Sequence, residues 1–337
     1  MFWPPVAYTV AFNRVTVRCQ PAATYLMLKF ILFRILQFPL ILAIIYVVTF
    51  LLVWVAPGSP FERTDRAIDP KIIELKKEQL HAASALEFLT YYPWNVIRHG
   101  DFGPSLNYEE WSVNDIIKSG LPVSVTLGLL AITIATFAGV AIGAAGAAWR
   151  GGVVDWLGLG VALVGISLPG FVTAGLLITI FSVNLKWFPV GGWGTLSTMI
   201  LPAIALALMP MAYITRLSRA AMIDVLGSDF IRTARAKGLS KPSVVVKHAL
   251  KNAMLPVLSY IGPATAAAMT GSFVVEKVFN IHGLGEHFVN SVLNRDQTLV
   301  LGVVMVYSTL LLGMNLLVDL SYALVDPRID LSDKGAA

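Results

Sequence analysis

The chain has 337 residues, of which 56% are hydrophobic and only 13% charged, against roughly 25% charged in an ordinary soluble domain. Its 20 acids and 25 bases cannot solvate a globular surface of this size, so most of that surface faces something other than water, which excludes a soluble enzyme. The single cysteine, Cys19, excludes a disulfide framework and any cysteine-based metal site, and the net charge of +5 matters only through the side of a membrane on which each charge lies.

Residues 1–26 carry scattered polar residues and no apolar run long enough to span a bilayer. They do not read as a signal peptide, because Lys29 and Arg34 already give the first span a basic flank and no small-residue cleavage site follows. This extension is expected to be a disordered cytoplasmic tail, or to precede a true start at Met27.

The spacing between successive charges then marks six apolar windows. They lie between Arg34 and Glu62, Lys118 and Arg150, Asp155 and Lys186, Lys186 and Arg216, Lys251 and Glu276, and Asp296 and Asp319. The shortest holds 22 residues, about 33 Å as helix at about 1.5 Å per residue, so each can cross the hydrocarbon. Pro39, Pro122, Pro169, Pro202, Pro210 and Pro263 fall inside these windows, where kinks or interrupted helices are expected. Six spans put both termini on one side. That side carries fifteen Lys and Arg against ten on the other, seven of the ten lying in residues 57–118, so the termini are expected in the cytoplasm.

The organisation read from this is an extension over 1–26, a first span over 27–60, an extracytoplasmic segment over 61–118, a five-span core over 119–326 and a cytoplasmic tail over 327–337. In the extracytoplasmic segment a helix is expected from Asp69 to Leu89, with Pro70 in its first turn and Ile72, Ile73, Leu75 and Leu80 as apolar contacts. In the second span, Gly139-xxx-Gly143 followed by Gly146 predicts a close-packing face. Trp149, Trp156, Trp187 and Trp193 read as interfacial anchors.

The segment Arg216 to Lys251 has eight Lys and Arg against two acids. Ser228-Asp229 can cap a helix in which Leu226, Phe230 and Ala234 recur at i+4; Gly238 stops it, and Ser240 restarts a helix with Lys241, Pro242 and Ser243. A bare basic loop would rest on anionic head groups. The run Thr233-Ala234-Arg235-Ala236-Lys237-Gly238 suggests close approach of another protein, because small side chains admit a neighbouring backbone.

Nothing resembles GxxxxGK[ST], HExxH or GxSxG, so neither ATP hydrolysis nor a catalytic constellation is expected on this chain. His282 and His287 bracket Gly-Leu-Gly-Glu286 in a spacing that favours a turn over a metal site. The windows contain no charge, and a proton relay within them is not expected. The chain reads as a path without an engine. A self-sufficient secondary transporter or channel, and a membrane-embedded enzyme, are the less favoured alternatives.

From about residue 28 to Ile329 the sequence resembles the permease subunits of ABC importers, in the branch serving dipeptides, oligopeptides and nickel complexes. The resemblance rests on an ordered set: Ala56-Pro57-Gly58-Ser59-Pro60; Gly100-Asp101-Phe102-Gly103-Pro104-Ser105; Ser167-Leu168-Pro169-Gly170-Phe171; Pro189-Val190-Gly191-Gly192-Trp193; Arg232-Thr233-Ala234-Arg235-Ala236-Lys237-Gly238-Leu239; Val278-Phe279-Asn280-Ile281-His282-Gly283-Leu284-Gly285; Asn294-Arg295-Asp296; Asn315-Leu316-Leu317-Val318-Asp319; and Asp326-Pro327-Arg328. It implies an all-α membrane protein with six transmembrane helices in the type I importer permease fold.

The family's cytoplasmic E-A-A-x3-G-x9-I-x-L-P motif aligns on Gly238, with Arg232 at the Glu, Thr233 and Ala234 at the alanines, His248 at the Ile, Leu250 at the Leu and Lys251 at the Pro. His282 stands where relatives usually have proline. The resemblance implies that Arg232 to Leu239 couple to an ATPase, that ATP and Mg bind partner subunits and no cofactor binds here, and that the partners are a second permease, two ABC ATPases, an external solute-binding protein and membrane lipid, without nucleic acid. It places the chain in a bacterial or archaeal inner membrane. Along the implied path the hydroxyls of Ser124, Thr126, Ser167, Thr173, Ser259, Thr265, Thr270 and Ser272 are candidates, although such groups more often bond their own i−4 carbonyl.

Overall fold

The computed structural model describes residues 21–56, 74, 75, 78, 84–108, 111–270 and 272–325. Apart from one isolated antiparallel bridge, Pro104 with Ser112, the regular elements among them are helical. They are α1 Pro21–Val55, α2 Ala85–His99, α3 Val113–Ala148, α4 Val153–Ser167, α5 Gly170–Leu177 with a π-helical extension Ile178–Asn184, and α6 Leu196–Leu226. Then come α7 Asp229–Ala236, α8 Lys241–Ser243, a π-helical Val244–Ala249, α9 Leu250–Ala253, α10 Leu255–Thr270, α11 Phe273–Val278, α12 Leu284–Leu293 and α13 Gln297–Val325. Of the expected extension over 1–26, residues 1–20 lie outside the described residues, as does the tail at 327–337, while 21–26 belong to α1.

Among the described residues five helices are long and apolar enough to cross a membrane: Leu32–Val55, Val113–Ala148, Leu196–Leu226, Leu255–Val278 and Gln297–Val318. A sixth crossing requires α4 and α5 together, and these meet at 112°. The break falls at Leu168-Pro169, where the ring of Pro169 holds Leu168 extended (ψ 126°) and removes a backbone donor. Pro39, Pro122, Pro202, Pro210 and Pro263 sit inside helices that continue through them. Of these six prolines, Pro169 alone interrupts a helix.

The core is α3 laid against α6, flanked by α4, α10 and α12. Small residues make this possible. Gly139 and Gly143 face α6 so closely that a Cβ on Gly143 would stand 2.6 Å from the Thr215 carbonyl oxygen. Gly128 and Gly120 meet Met269 and Leu284 in the same way. The expected face of Gly139, Gly143 and Gly146 is present and meets α6 and, through Asp155 beside Gly146, α4; Gly128 and Gly120 extend close packing to α10 and α12. α3 is started by a reciprocal cap, in which the Ser112 hydroxyl accepts from the Asp115 amide and the Asp115 carboxylate from the Ser112 amide, both at 3.2 Å.

α1 joins the bundle at its far end, through α13 and α2. Tyr46 and Phe50 stack with Phe88 and Tyr92, and the Tyr46 hydroxyl donates to the Leu89 carbonyl at 3.1 Å. Elsewhere on α1, Leu32, Leu36, Leu40 and Leu52 are exposed, as expected of a surface turned to lipid. In the segment before α3, Glu74, Leu75 and Glu78 are helical, and the remainder of 69–83 lies outside the described residues. The expected helix does not run unbroken to Leu89: Ser84 is extended and a new helix starts at Ala85 and continues to His99. It is capped by Ser84, which accepts from Glu87, and closed by Gly100 at φ 66°. Trp149, Trp156 and Trp187 are exposed, whereas Trp193 packs on the core cluster of Leu127, Leu201 and Phe279 and is not a free interfacial anchor.

Candidate translocation groove and basic loop

The break between α4 and α5 opens a groove of about 550 Å³ against α6 and α10. Ser167, Leu168, Thr173, Met209, Tyr260 and Ala267 stand on its walls. A helix break supplies here what a continuous helix cannot, backbone polarity at the margin of an apolar bundle.

Of the eight hydroxyls singled out from the sequence, Ser167 and Thr173 line this groove. Thr173 spends its hydroxyl on Gly170, and Thr126, Ser259, Thr265 and Thr270 donate to the carbonyls of Pro122, Leu255, Ile261 and Ala266. Those four bonds are the i−4 back-bonds that compete with solute contact. Ser124 and Ser272 are fully buried and serve a different group, Glu276.

Glu276 corrects the expectation of charge-free spans. It lies in the apolar stretch Leu255–Val278 and has no exposed surface. One carboxylate oxygen accepts from the hydroxyls of Ser124, at 2.7 Å, and Ser272; the other accepts from the Glu286 amide at 3.2 Å. The window had been bounded by charge, so Glu276 could only be counted as an edge. Its donors come from Ser124 in α3, Ser272 beside it and the first turn of α12, where unpaired amides favour an anion. All of them belong to the protein frame, so the arrangement is a clamp.

Just outside this clamp, Glu286 accepts from Lys277 Nζ at 3.0 Å and meets His282 Nδ1 at 2.9 Å. Burial raises the Glu286 carboxyl, but the hydrogen bonds and charges of Lys277 and His282 outweigh it and hold the group below the usual carboxylate range. His287 is pushed down by burial and packs edge-on to Tyr108. The turn expected at 282–287 is the start of α12, with Gly283 as its N-cap. Among the described residues no group of three or more His, Cys, Asp or Glu could hold a metal ion.

At the opposite end, the basic loop folds as a short helix, a glycine break and a second helical run. Ile231 and Ala234 bury into a cluster with Ala144, Ala147, Met222, Val244 and Ala253. Arg232, Thr233, Arg235, Ala236, Lys237, Gly238 and Leu239 are all exposed. Gly238 has φ 80°, a conformation that side-chain-bearing residues rarely adopt. Two details differ from expectation. The Ser228 hydroxyl donates to the Val225 carbonyl at 2.6 Å and makes no cap. Phe230 faces outward, because Leu226 ends α6 and α7 begins afresh at Asp229, so the i+4 series never shares one helix.

A bundle of apolar spans with a groove at a helix break and an anchored, outward-facing basic loop defines a membrane transport subunit. Residues 135–331 match the family of binding-protein-dependent transport system inner membrane components, and the chain belongs to that family. It is 44% identical over 292 residues to the dipeptide transport system permease protein DppB of Bacillus subtilis (strain 168), covering 87% of this chain and 94% of that one. It is 43% identical over 305 residues to the oligopeptide transport system permease protein OppB of Escherichia coli (strain K12), covering 90% and 99%. Among solved structures it is similar to an amino acid ABC transporter crystallised with histidines, with a TM-score of 0.49 and 19% identity over 63% of this chain and 95% of that one. The chain is a transmembrane permease subunit of an ABC importer, a transport protein of the inner-membrane class.

Proposed function

We propose that this subunit forms half of the path by which a dipeptide or oligopeptide enters the cell, and that the loop Arg232 to Leu239 docks on an ATPase subunit. Its relatives named above are dipeptide and oligopeptide permeases, which supports the substrate class. A second permease completes the path, two ATPases bind ATP and Mg, and an external binding protein delivers the solute. The termini and the basic loop lie on the cytoplasmic side, as the excess of Lys and Arg there favours.

The observation that carries the docking assignment is the division of α7 into two faces. Ile231 and Ala234 are held in the core while their neighbours project, so a push on the projecting face reaches α3 and α6 through packed side chains. ATP closing the ATPase pair would draw two such loops together and rock the permeases from inward- to outward-facing. Moving a population from 1:99 to 99:1 takes about 5.5 kcal/mol of differential binding, which two nucleotide sites can supply and one loop contact cannot.

Gly238→Val tests this. No atom lies within 4 Å of a Cβ built there, so the cost is the left-handed backbone, about 1–2 kcal/mol and more for a β-branched residue. Solute-stimulated ATP hydrolysis by the reconstituted complex should fall at least tenfold while membrane insertion is unchanged. Normal coupling in the variant refutes the assignment.

A further inference from the structure

At the basic-loop end of the bundle two cavities meet. One is a groove of about 760 Å³ between the last turns of α3 and the segment 241–254, walled by Phe137, Ala141, Ala145, Val246, Leu250 and Met254. The other, of about 560 Å³, lies under the loop and carries Arg150, Arg235 and Lys241 on its walls. Ala148, Lys241 and Val245 line both. The apolar groove therefore opens directly onto a cationic pocket.

The junction has a definite chemistry. Lys241 Nζ stands 5.1 Å from the centroid of the Trp149 ring, and Trp149 is itself exposed, as a residue at a membrane interface is. Among the described residues Arg150, Arg235 and Lys241 enter no ion pair. Asp155 is paired with Arg219, and Asp229 with Arg232. From Phe137 to Trp149 the α3 wall rises about 18 Å at about 1.5 Å per residue, close to the half-thickness of a hydrocarbon core of about 30 Å.

We propose that this composite site binds one anionic phospholipid, with an acyl chain in the α3 groove and the head-group phosphate against Arg150, Lys241 and Arg235. Charge complementarity selects the occupant: the site asks for a long apolar chain ending in an anion, and a phospholipid carries both in one molecule. An apolar helix from another subunit would fill the groove and leave three cations unmatched. The bound lipid would brace the loop against α3. This inference needs the bundle to span a membrane and is independent of the solute carried.

The test is native mass spectrometry on the full chain, with whatever subunits accompany it in mild detergent, titrated with phosphatidylglycerol or phosphatidylcholine. Phosphatidylglycerol should be retained in preference to phosphatidylcholine. Arg150→Gln with Lys241→Gln should weaken its retention about fivefold per cation removed, the factor equivalent to about 1 kcal/mol for each Lys or Arg at a membrane surface. Ala141→Trp should displace it by filling the groove. Phosphatidylglycerol carrying a photoreactive acyl chain, added to the unaltered protein, should label 136–150 and 241–254 whether or not the variants fold. Equal retention of the two lipids, labelling elsewhere, or displacement by inorganic phosphate alone would overturn the proposal. So would an Ala141→Cys variant that cross-links to another subunit in the membrane.

Discussion

Ser124 donates a hydrogen bond to Glu276 at 2.7 Å across 152 positions of sequence, and it accepts one from the Leu284 amide at 2.9 Å. A single hydroxyl thus ties α3 to the start of α12 through a buried carboxylate. Gly283 and Gly285 let this happen, since their missing side chains leave the space that the Glu276 carboxylate occupies. Burying a carboxyl group this deeply is costly unless its oxygens are matched, and here hydroxyls and a helix N-terminus match them.

Ser124→Ala should therefore act on stability before it acts on transport. It strips a donor from a buried acceptor and leaves the Leu284 amide unmatched, for a loss of about 1–3 kcal/mol. Thr126→Ala is the control, since that hydroxyl is exposed and bonds its own helix at Pro122; its effect should stay within about 0.5 kcal/mol. Thermal unfolding in detergent compares the two, and equal midpoints would remove Ser124 from the clamp.

What could be read from the sequence, and what could not, follows from how far each interaction reaches along the chain. Six apolar windows were legible because span length is a local property, and Gly238 and Pro242 were legible because a left-handed residue and an N-terminal proline are local punctuation. Pro169 was one of six prolines at which a kink or break was expected, and local sequence did not distinguish it from the five through which helices continue. Glu276 was invisible as a buried group because its compensating donor, Ser124, lies in another span. Phe230 was misplaced for a subtler reason: the i+4 series ran through the boundary at Gly227, and periodicity carries no phase across a helix break. The expected helix from Asp69 to Leu89 was drawn through Ser84, which is the N-cap of a separate helix running from Ala85 to His99.

The packing of α3 on α6 gives a second prediction. A Cβ on Gly143 would meet the Thr215 carbonyl, a backbone atom that cannot rotate away, so Gly143→Ala must push two long helices apart. Overpacking of this kind costs about 1–3 kcal/mol. Gly175→Ala adds the same methyl in α5 where nothing lies within 4 Å, and it should be neutral or slightly stabilising through helix propensity. The difference in detergent unfolding temperature checks this; a Gly143→Ala protein as stable as its parent would show that the helices have room to separate.

Glu286 sets a pH dependence. Its carboxyl is held below the ordinary value by Lys277 and His282 despite burial, so the folded state binds its proton more weakly than the unfolded chain does. The sign follows: its contribution is complete above the unfolded value of about 4.3 and is lost as pH falls through the lower folded value. Glu276 and His287 face the same turn and are retained in both proteins compared. Glu286→Gln should lower the unfolding temperature near neutral pH, and the gap between variant and parent should close in acid. A gap that widened on acidification would reverse the assignment of which state Lys277 and His282 favour.

The groove at the α4–α5 break yields the prediction that separates path from frame. Ala267 is exposed on the groove wall that Tyr260 also lines, and it is neither one of the residues that bond Glu276 nor part of the basic loop. A tryptophan there would occupy much of a cavity of about 550 Å³ without entering the α3–α6 packing. Ala267→Trp should leave folding and nucleotide-driven hydrolysis intact while peptide uptake into proteoliposomes falls at least tenfold. Gly238→Val should instead abolish the stimulation of hydrolysis by solute. Blocked transport with active hydrolysis in one variant, and uncoupled hydrolysis in the other, places the path and the drive at opposite ends of the same bundle. If Ala267→Trp transports normally, solute passes elsewhere, and Ser167 and Thr173 line a surface that faces lipid or the second permease.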